Sequence, residues 1–172
     1  SCPPTPGQNE KPPFVIPLAM GLLGDAGNLP LRLSGTEPDP DTSDNTHIVL
    51  TVNQPQQAFV FERVAERPVP SLLRGFSAPV RLHYDYSKAD LCALIRRDGD
   101  GFVRWDSAQA LATRVIGEVE AQLLAGVEPV VDALLIEACG ELLQDEALDL
   151  ALVAEMLRLP SEDYLAELAS QG

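Results

Sequence analysis

The chain has 172 residues, of which 45% are hydrophobic and 22% charged, so its composition is that of a folded globular protein rather than a disordered one. Its 26 acidic and 12 basic residues give a net charge of −14, which disfavours nucleic acid and anionic membranes as partners. No apolar run approaches the roughly 20 residues of a membrane span, and residues 1–6 lack the features of a secretory signal. The three cysteines, Cys2, Cys92 and Cys139, are too widely spaced for a disulfide framework and predict a reducing, cytoplasmic compartment.

Two halves of different composition predict two domains, residues 1–86 and 87–172. Thirteen of the fifteen prolines lie in the first half. That half holds nine acidic and six basic residues, a net charge of −3, whereas the second holds seventeen and six, a net charge of −11. A proline-rich half followed by an acidic, proline-poor half predicts domains of different secondary-structure class.

The first half alternates apolar and polar residues with period two, as half-buried strands do. In residues 14–23, Phe14 and every second residue after it share one face, and Pro17 indicates an edge strand or a bulge. The glycines in residues 24–28 predict a hairpin turn. Further strands are expected in residues 29–33, 48–52, 59–61 and 80–84, with a long proline-stiffened connection before the last one.

Five strands with turn signals between them predict an immunoglobulin-like β-sandwich, a fold that normally has about seven strands. We therefore expect the opening strand to be missing. An incomplete sheet leaves a strand edge unpaired, so self-association through that edge is expected.

The second half changes to the helical period of 3.6 residues. Ser87 and Asp90 form a capping-box pattern before the first helix. A break at residues 98–101 precedes a long helix that is expected to end at Gly126.

Three more helices are expected after this long one. The next is predicted to have Pro129 in its first turn, with Val130 and Val131 in its buried stripe. A short helix ends before Pro160, and Ser161 caps the last one. Connections of a few residues predict antiparallel helices, the start of a helical superhelix.

Residues 98–102, Asp-Gly-Asp-Gly-Phe, are similar to the beginning of a calcium loop. An EF-hand loop needs an oxygen ligand at its fifth position, glycine at its sixth and glutamate at its twelfth. Counted from Asp98, these positions are Phe102, Val103 and Gln109, so all three requirements fail. Because aspartate is a favoured N-cap, we interpret the segment as the start of a helix.

No other pattern nominates a catalytic, cofactor-binding or metal-binding residue, so each of these sets is predicted to be empty. His47 and His83 are expected on solvated strand faces without a partner at metal-ligand spacing. Cys92 and Cys139 fall among apolar helical positions. An acidic run is interpreted as a water-facing surface. It comprises Glu141, Asp145, Glu146 and Asp149.

Four strings of residues carry a family resemblance. Two are residues 3–18 without Asn9, and residues 102–109, which begin Phe102-Val103-Arg104-Trp105. The others are Ala58-Phe59-Val60-Phe61 and Arg67-Pro68-Val69-Pro70-Ser71-Leu72-Leu73-Arg74-Gly75-Phe76-Ser77-Ala78-Pro79-Val80. In this order they resemble the third domain and the start of the C-terminal domain of the bacterial aminopeptidase N family, the alanyl aminopeptidases.

The resemblance implies a four-domain parent in which a thermolysin-like domain hydrolyses N-terminal residues from peptides. It implies a zinc ion held by a His-Glu-x-x-His helix and a later glutamate, and a Gly-x-Met-Glu-Asn loop that holds the substrate's amino group. Neither motif occurs in this chain. The chain is therefore expected to be a non-catalytic, cofactor-free fragment of a cytoplasmic metallopeptidase, with the catalytic domain of the same parent as its partner.

Within the matched strings we expect structural roles. Gly75 is expected at positive φ, Phe76 as a plug into the sandwich, Trp105 as an anchor of the helical half, and Arg104 as a bridge between the halves. The alternative is a freestanding interaction module with an Ig-like and a helical domain. A hydrolase that works by another route is the least supported interpretation.

Overall fold

The first half of the chain forms one antiparallel sheet of four strands in the part that the structure describes. The structure is a computed structural model and describes residues 5–8, 11–35 and 45–170. The chain divides into two compact units, the β unit, Ser1–His83, and the helical unit, Tyr84–Gly172. The strands are β1 (Ile16–Gly24), β2 (Gly27–Asn28), β3 (Ile48–Val52) and β4 (Val69–Leu72).

β1 is the central strand of this sheet. Met20 pairs with Ile48 of β3 and with Leu72 of β4, so these two strands flank β1 on opposite sides. Every residue from 19 to 24 is buried, which means that both faces of the second half of β1 are covered. The prediction of one-sided burial is therefore wrong for this half, and Phe14, expected to face inward, is 59% exposed.

Pro17 lies within β1 without breaking the sheet. Two residues later, Ala19 directs its N–H away from β3 to the Ser77 hydroxyl at 3.0 Å, and alternate residues of a strand direct their N–H groups to the same side. The side of β1 that lacks an N–H at Pro17 is therefore the side of β4. Because β4 pairs only with residues 20–23 of β1, it does not need a hydrogen bond from residue 17. At Pro17 the strand is thus an edge on one side only, although β1 as a whole is the central strand of the sheet.

The prediction of three further strands is wrong. Residues 29–33 and 59–61 share one isolated bridge, Leu33↔Phe61, with backbone hydrogen bonds of 2.8 Å on either side, and residues 80–84 contain no strand. Conversely, β4 lies in the segment predicted as a connection. Pro70 within β4 and Pro68 before it weaken the strand signal, yet proline is compatible with β4 because β1 is its only partner strand among the described residues.

The apolar core of the β unit packs on the sheet. Its buried residues are Met20, Leu22, Leu31 and Leu50. The partly buried Leu33 and Phe61 pack against this cluster, as do Phe59 and Val64. The two segments joined by the Leu33↔Phe61 bridge thus provide a minimal second layer.

The helical unit contains five helices within the described residues. They are α1 (Lys88–Arg97), α2 (Gly101–Leu124), α3 (Ala133–Gln144), α4 (Leu150–Met156) and α5 (Glu162–Ala169). None of these described helices combines the length and the hydropathy that crossing a membrane requires.

The ends of these helices follow the sequence signals. Ser87 accepts a hydrogen bond from the Asp90 N–H at 3.1 Å, and Asp90 accepts one from the Ser87 N–H at 2.9 Å, which confirms the capping box of α1. At the end of α2, Gly126 has a φ of 71° and Val127 donates its N–H to the Gln122 carbonyl at 2.9 Å. This is the Schellman arrangement that glycine favours.

α3 begins later than predicted. Asp132 is its N-cap and accepts a hydrogen bond from the Leu134 N–H at 2.9 Å, so Pro129 precedes the helix. Val130 and Val131, predicted in the buried stripe, are 71% and 48% exposed. The physical reason is that the Asp132 carboxylate satisfies a free N–H of the first turn, which makes aspartate a strong cap.

One core joins the first four helices. Its buried residues include Leu91, Ile95, Leu111, Val115, Ala138, Leu142, Val153 and Met156. Trp105 is partly buried and packs against this core, in agreement with its expected role as an anchor. α5 contributes no buried residue and lies at the margin of the unit.

Candidate functional site

The suspected calcium loop is the start of α2. The Asp98 side chain is 2% exposed and accepts a hydrogen bond from the Asp100 N–H at 2.8 Å. Asp100 in turn caps α2 by accepting from the Val103 N–H at 2.9 Å. Both carboxylates are therefore engaged with the backbone, as the N-cap interpretation requires.

Three residues of the acidic run contact different partners rather than one another. Glu141 forms an ion pair with Arg96, and Asp149 caps α4 through the N–H groups of Ala151 and Leu152. Asp145 lies 3.6 Å from Arg104. Across the described residues, no group of three or more histidine, cysteine or acidic side chains could hold a metal ion.

The histidines and cysteines do not form a reactive pair. His47 and His83 are exposed and lie in segments without a described second ligand. Cys92 is buried and Cys139 partly buried, and burial raises the pKa of both thiols above the ordinary value. A raised thiol pKa leaves little thiolate at neutral pH, so neither cysteine is activated as a nucleophile. Cys2 lies outside the described residues.

Arg74 joins three segments of the β unit from a position that is 5% exposed. Its Nε donates to the Ser71 hydroxyl at 2.7 Å, one Nη to the Thr46 carbonyl at 3.0 Å and the other to the Asn28 side chain at 2.7 Å. We call this set the Arg74 latch. No sequence pattern pointed to this latch, because two of its three acceptors lie 28 and 46 residues away along the chain.

The backbone around the latch is in an unusual conformation. Leu73, Gly75 and Phe76 have φ of 56°, 61° and 52°, which confirms the expectation for Gly75. The expectation for Phe76 is wrong, because its side chain is 53% exposed. The left-handed turn directs Arg74 into the unit and Phe76 outward, and left-handed φ costs a non-glycine residue about 1 kcal/mol or more.

Arg104 does not have the predicted role of a bridge between the halves. It is 8% exposed and its ion pair is with Asp145, in the same helical unit. Its Nε has no hydrogen-bond partner among the described residues. Its contacts therefore hold the beginning of α2 to the end of α3.

Lys88 connects three helices at a junction that we call the Lys88 junction. Its ammonium donates to Glu118 of α2 at 2.6 Å and to Asp132, the cap of α3, at 2.5 Å. The hydrogen bond to Asp132 is the main cause of the raised pKa of Lys88, and the same bond lowers the pKa of Asp132. Both side chains are about a quarter exposed, so this junction is only partly shielded from water.

A groove with aromatic and charged walls runs between α2, α4 and α5, and we call it the α2–α5 groove. One lobe of 330 Å³ is lined by Trp105, Asp106, Gln109, Arg158 and Tyr164 among others. A neighbouring lobe of 470 Å³ shares Trp105 and Glu155 and is otherwise mostly apolar, with Phe102 and Leu152 in its wall. No sequence pattern pointed to Asp106 or to this groove.

Two family models match the chain, one for each unit. The model described as "Domain of unknown function (DUF3458) Ig-like fold" matches residues 1–85, and the model described as "Domain of unknown function (DUF3458_C) ARM repeats" matches residues 88–171. With the antiparallel sheet and the helices, these matches confirm the predicted fold class, an Ig-like domain followed by antiparallel helices.

The relatives are aminopeptidases that are much longer than this chain. Aminopeptidase N of Escherichia coli (strain K12) is 41% identical over 96% of this chain, and that of Haemophilus influenzae is 32% identical over 97%. Each match covers 18% of the relative. The crystal structure of Legionella pneumophila aminopeptidase A in complex with aspartic acid matches 95% of this chain and 17% of its own, with a TM-score of 0.66 and 29% identity. The chain is therefore homologous to one segment of aminopeptidase N, and this segment matches family models of an Ig-like fold and of ARM repeats.

Proposed function

We propose that this chain is a non-catalytic scaffold segment of an aminopeptidase N, which links and positions the catalytic domain and the remaining C-terminal helices. The observation that carries the proposal is coverage, since 96% of the chain aligns with only 18% of Escherichia coli aminopeptidase N. The peptide substrates of the longer enzyme would be bound and cleaved by residues outside this segment.

Polar side chains that join separate segments support a scaffold role. The Arg74 latch holds segments around residues 28, 46 and 71, and the Lys88 junction holds three helices. Such charge-assisted hydrogen bonds stabilise a defined geometry. They make each unit a firm attachment point for other domains.

The zinc ion of the longer enzyme is proposed to be held outside this chain. A catalytic zinc usually has three protein ligands, and the residues described here do not fit such a set, because the two histidines are exposed and isolated. No catalytic step is assigned to this chain. We place the longer enzyme in the cytoplasm, with no nucleic acid or membrane as partner.

The first experiment measures metal content and activity of the purified chain. After incubation with zinc and dialysis, we expect far less than one zinc per molecule by atomic absorption and no hydrolysis of an alanine anilide. Full-length Escherichia coli aminopeptidase N, treated identically, is the positive control. Zinc near one equivalent together with turnover would refute the proposal.

A chimera distinguishes the scaffold from a freestanding interaction module. This chain replaces the matching segment of Escherichia coli aminopeptidase N, and a glycine-serine linker of equal length replaces it in the control. We expect the chimera to be folded and to retain activity that the linker variant lacks. A folded chimera that is as inactive as the linker variant would favour the freestanding module.

A further inference from the structure

The α2–α5 groove has the dimensions and the walls of a ligand site. Its 330 Å³ lobe is at the lower end of the range of about 300–1,000 Å³ that ligand pockets occupy. Tyr164 is 49% exposed, and Trp105 and Phe102 lie with their rings 5.9 Å apart. Aromatic rings that line a cavity provide flat apolar surfaces on which a planar cationic group can stack.

The charges of the groove do not balance. Its lining has two carboxylates, Asp106 and Glu155, and one cation, Arg158, which leaves a net charge of −1. Arg158 is already engaged with Glu155 at 3.1 Å. Asp106 makes no hydrogen bond or ion pair with any residue of the described ranges, so one carboxylate of the groove lacks a counter-charge.

The environment of Asp106 makes the negative charge of its side chain less favourable. Asp106 is an exposed residue, although the protein around its carboxyl group displaces enough water to raise the pKa of that group above the ordinary value. A carboxylate that is partly desolvated and unpaired is stabilised by an incoming cation. Beside it, Gln109 is held by a hydrogen bond from its Nε2 to the Arg158 carbonyl at 2.8 Å.

We propose that the α2–α5 groove binds the arginine side chain of an extended peptide segment. The guanidinium would pair with Asp106 and stack on Trp105 or Tyr164, and an apolar neighbour of the arginine would enter the 470 Å³ lobe. Arginine is favoured over lysine because its planar fork both pairs with carboxylates and stacks on aromatic faces. The net charge of −11 in residues 87–172 would draw such a peptide toward this unit.

Trp105 is the only tryptophan of the chain, so its fluorescence reports directly on the groove. The probe is acetyl-Leu-Arg-Leu-amide, titrated into the full 172-residue chain. The same peptide with citrulline removes only the charge, and the peptide with norleucine keeps only an apolar chain. We expect a saturable change with the arginine peptide and at least about tenfold weaker binding of the other two.

Two variants, each of which removes one negative charge from α2, test whether Asp106 binds the guanidinium. Asp106→Asn should weaken the arginine peptide about tenfold, whereas Glu120→Gln should not, because Glu120 is exposed on the same helix about 21 Å further along at 1.5 Å per residue. Tyr164→Ala should weaken binding about threefold through the lost stacking surface. Circular dichroism confirms that each variant is folded.

The inference is overturned by any of three results. The first is no saturable change with the arginine peptide. The second is equal binding of the norleucine peptide, which would mean that the groove accepts an apolar segment. The third is an equal effect of Asp106→Asn and Glu120→Gln. None of these results bears on the zinc and chimera experiments, so the proposed scaffold role is tested independently.

Discussion

The guanidinium of Arg74 has three acceptors that are 3, 28 and 46 residues away along the chain. One of them, the hydroxyl of Ser71, belongs to a residue that is completely buried. When a buried acceptor loses its donor, it keeps the cost of its desolvation without the hydrogen bond. Removal of this one side chain is therefore expected to destabilise the β unit.

Arg74→Ala is expected to lower the free energy of unfolding of the β unit by about 3 kcal/mol, because it leaves the acceptors of the latch without donors. Urea unfolding followed by circular dichroism measures the change. Arg67→Ala is the control, since Arg67 is exposed and forms no described hydrogen bond. A loss of less than about 1 kcal/mol would show that water replaces the guanidinium.

The side chain of Arg74 packs so closely against β1 that residue 21 must be glycine. A Cβ atom at this position of β1 would overlap the guanidinium of Arg74. Gly21→Ala should therefore destabilise the chain by about 2 kcal/mol alone and by much less when Arg74 is already alanine. The double-mutant cycle measures this coupling, and additive effects of the two substitutions would contradict the assigned contact.

At the scale of elements, the Lys88 junction gives α1, α2 and α3 a common charged contact. The pKa of Asp132 is lowered, mainly by the hydrogen bond from Lys88. Its contribution to stability is thus present above the pKa of the unfolded state and is lost as the pH falls through the lower pKa of the folded state. For Lys88, whose pKa is raised, the contribution is lost as the pH rises through its folded value.

Asp132→Asn keeps an oxygen that can cap α3 but removes the charge. We expect the melting temperature of the variant to fall less steeply than that of the wild type as the pH is lowered from 5 to 2. Asp149→Asn is the matched control, because Asp149 also caps a helix but has no described lysine partner. Parallel pH profiles for wild type and Asp132→Asn would show that the junction does not contribute.

The sequence predicts the ends of the helices more accurately than the positions of the strands. The capping box at Ser87, the end at Gly126 and the cap at Ser161 each depend on a few neighbouring residues, so a short window of sequence contains them. β4 was not predicted, since Pro68 and Pro70 weaken its local signal and its stability comes from β1, about 50 residues away.

The polar sites also depend on contacts between segments that are distant along the chain. Two of the three acceptors of Arg74 and both carboxylates around Lys88 come from distant segments, so no spacing rule in the sequence brings them together. The groove at Asp106 likewise requires α4 and α5 to be placed beside α2. For these sites the sequence supplies the residue types, and only the tertiary structure supplies their proximity.

At the scale of the whole molecule, the sheet has an outer edge at β3. β1 is the only described strand partner of β3, and Val49 of β3 is 54% exposed. Gln57 covers part of this edge, since its side chain donates to the Thr51 carbonyl at 3.0 Å. An edge with exposed β-branched residues can pair with another chain.

We therefore expect the isolated chain to self-associate at high concentration, and Val49→Lys to weaken that association several-fold, because a lysine on an edge strand disfavours pairing. Sedimentation velocity over a range of concentrations measures it. Ala110→Lys, at an exposed position of α2, is the control for the added charge. A chain that stays monomeric throughout would exclude edge pairing.

The separation of the latch partners along the chain also has a consequence for the order of assembly. Before Arg74 can donate to Thr46 and Asn28, loops of 28 and 46 residues must close, and loop closure costs entropy. The helices, by contrast, are joined by short connections, and their caps form within one turn. The helical unit is synthesised after the β unit, yet it is expected to reach its native structure faster. The β unit is complete only when Arg74 has formed its hydrogen bonds.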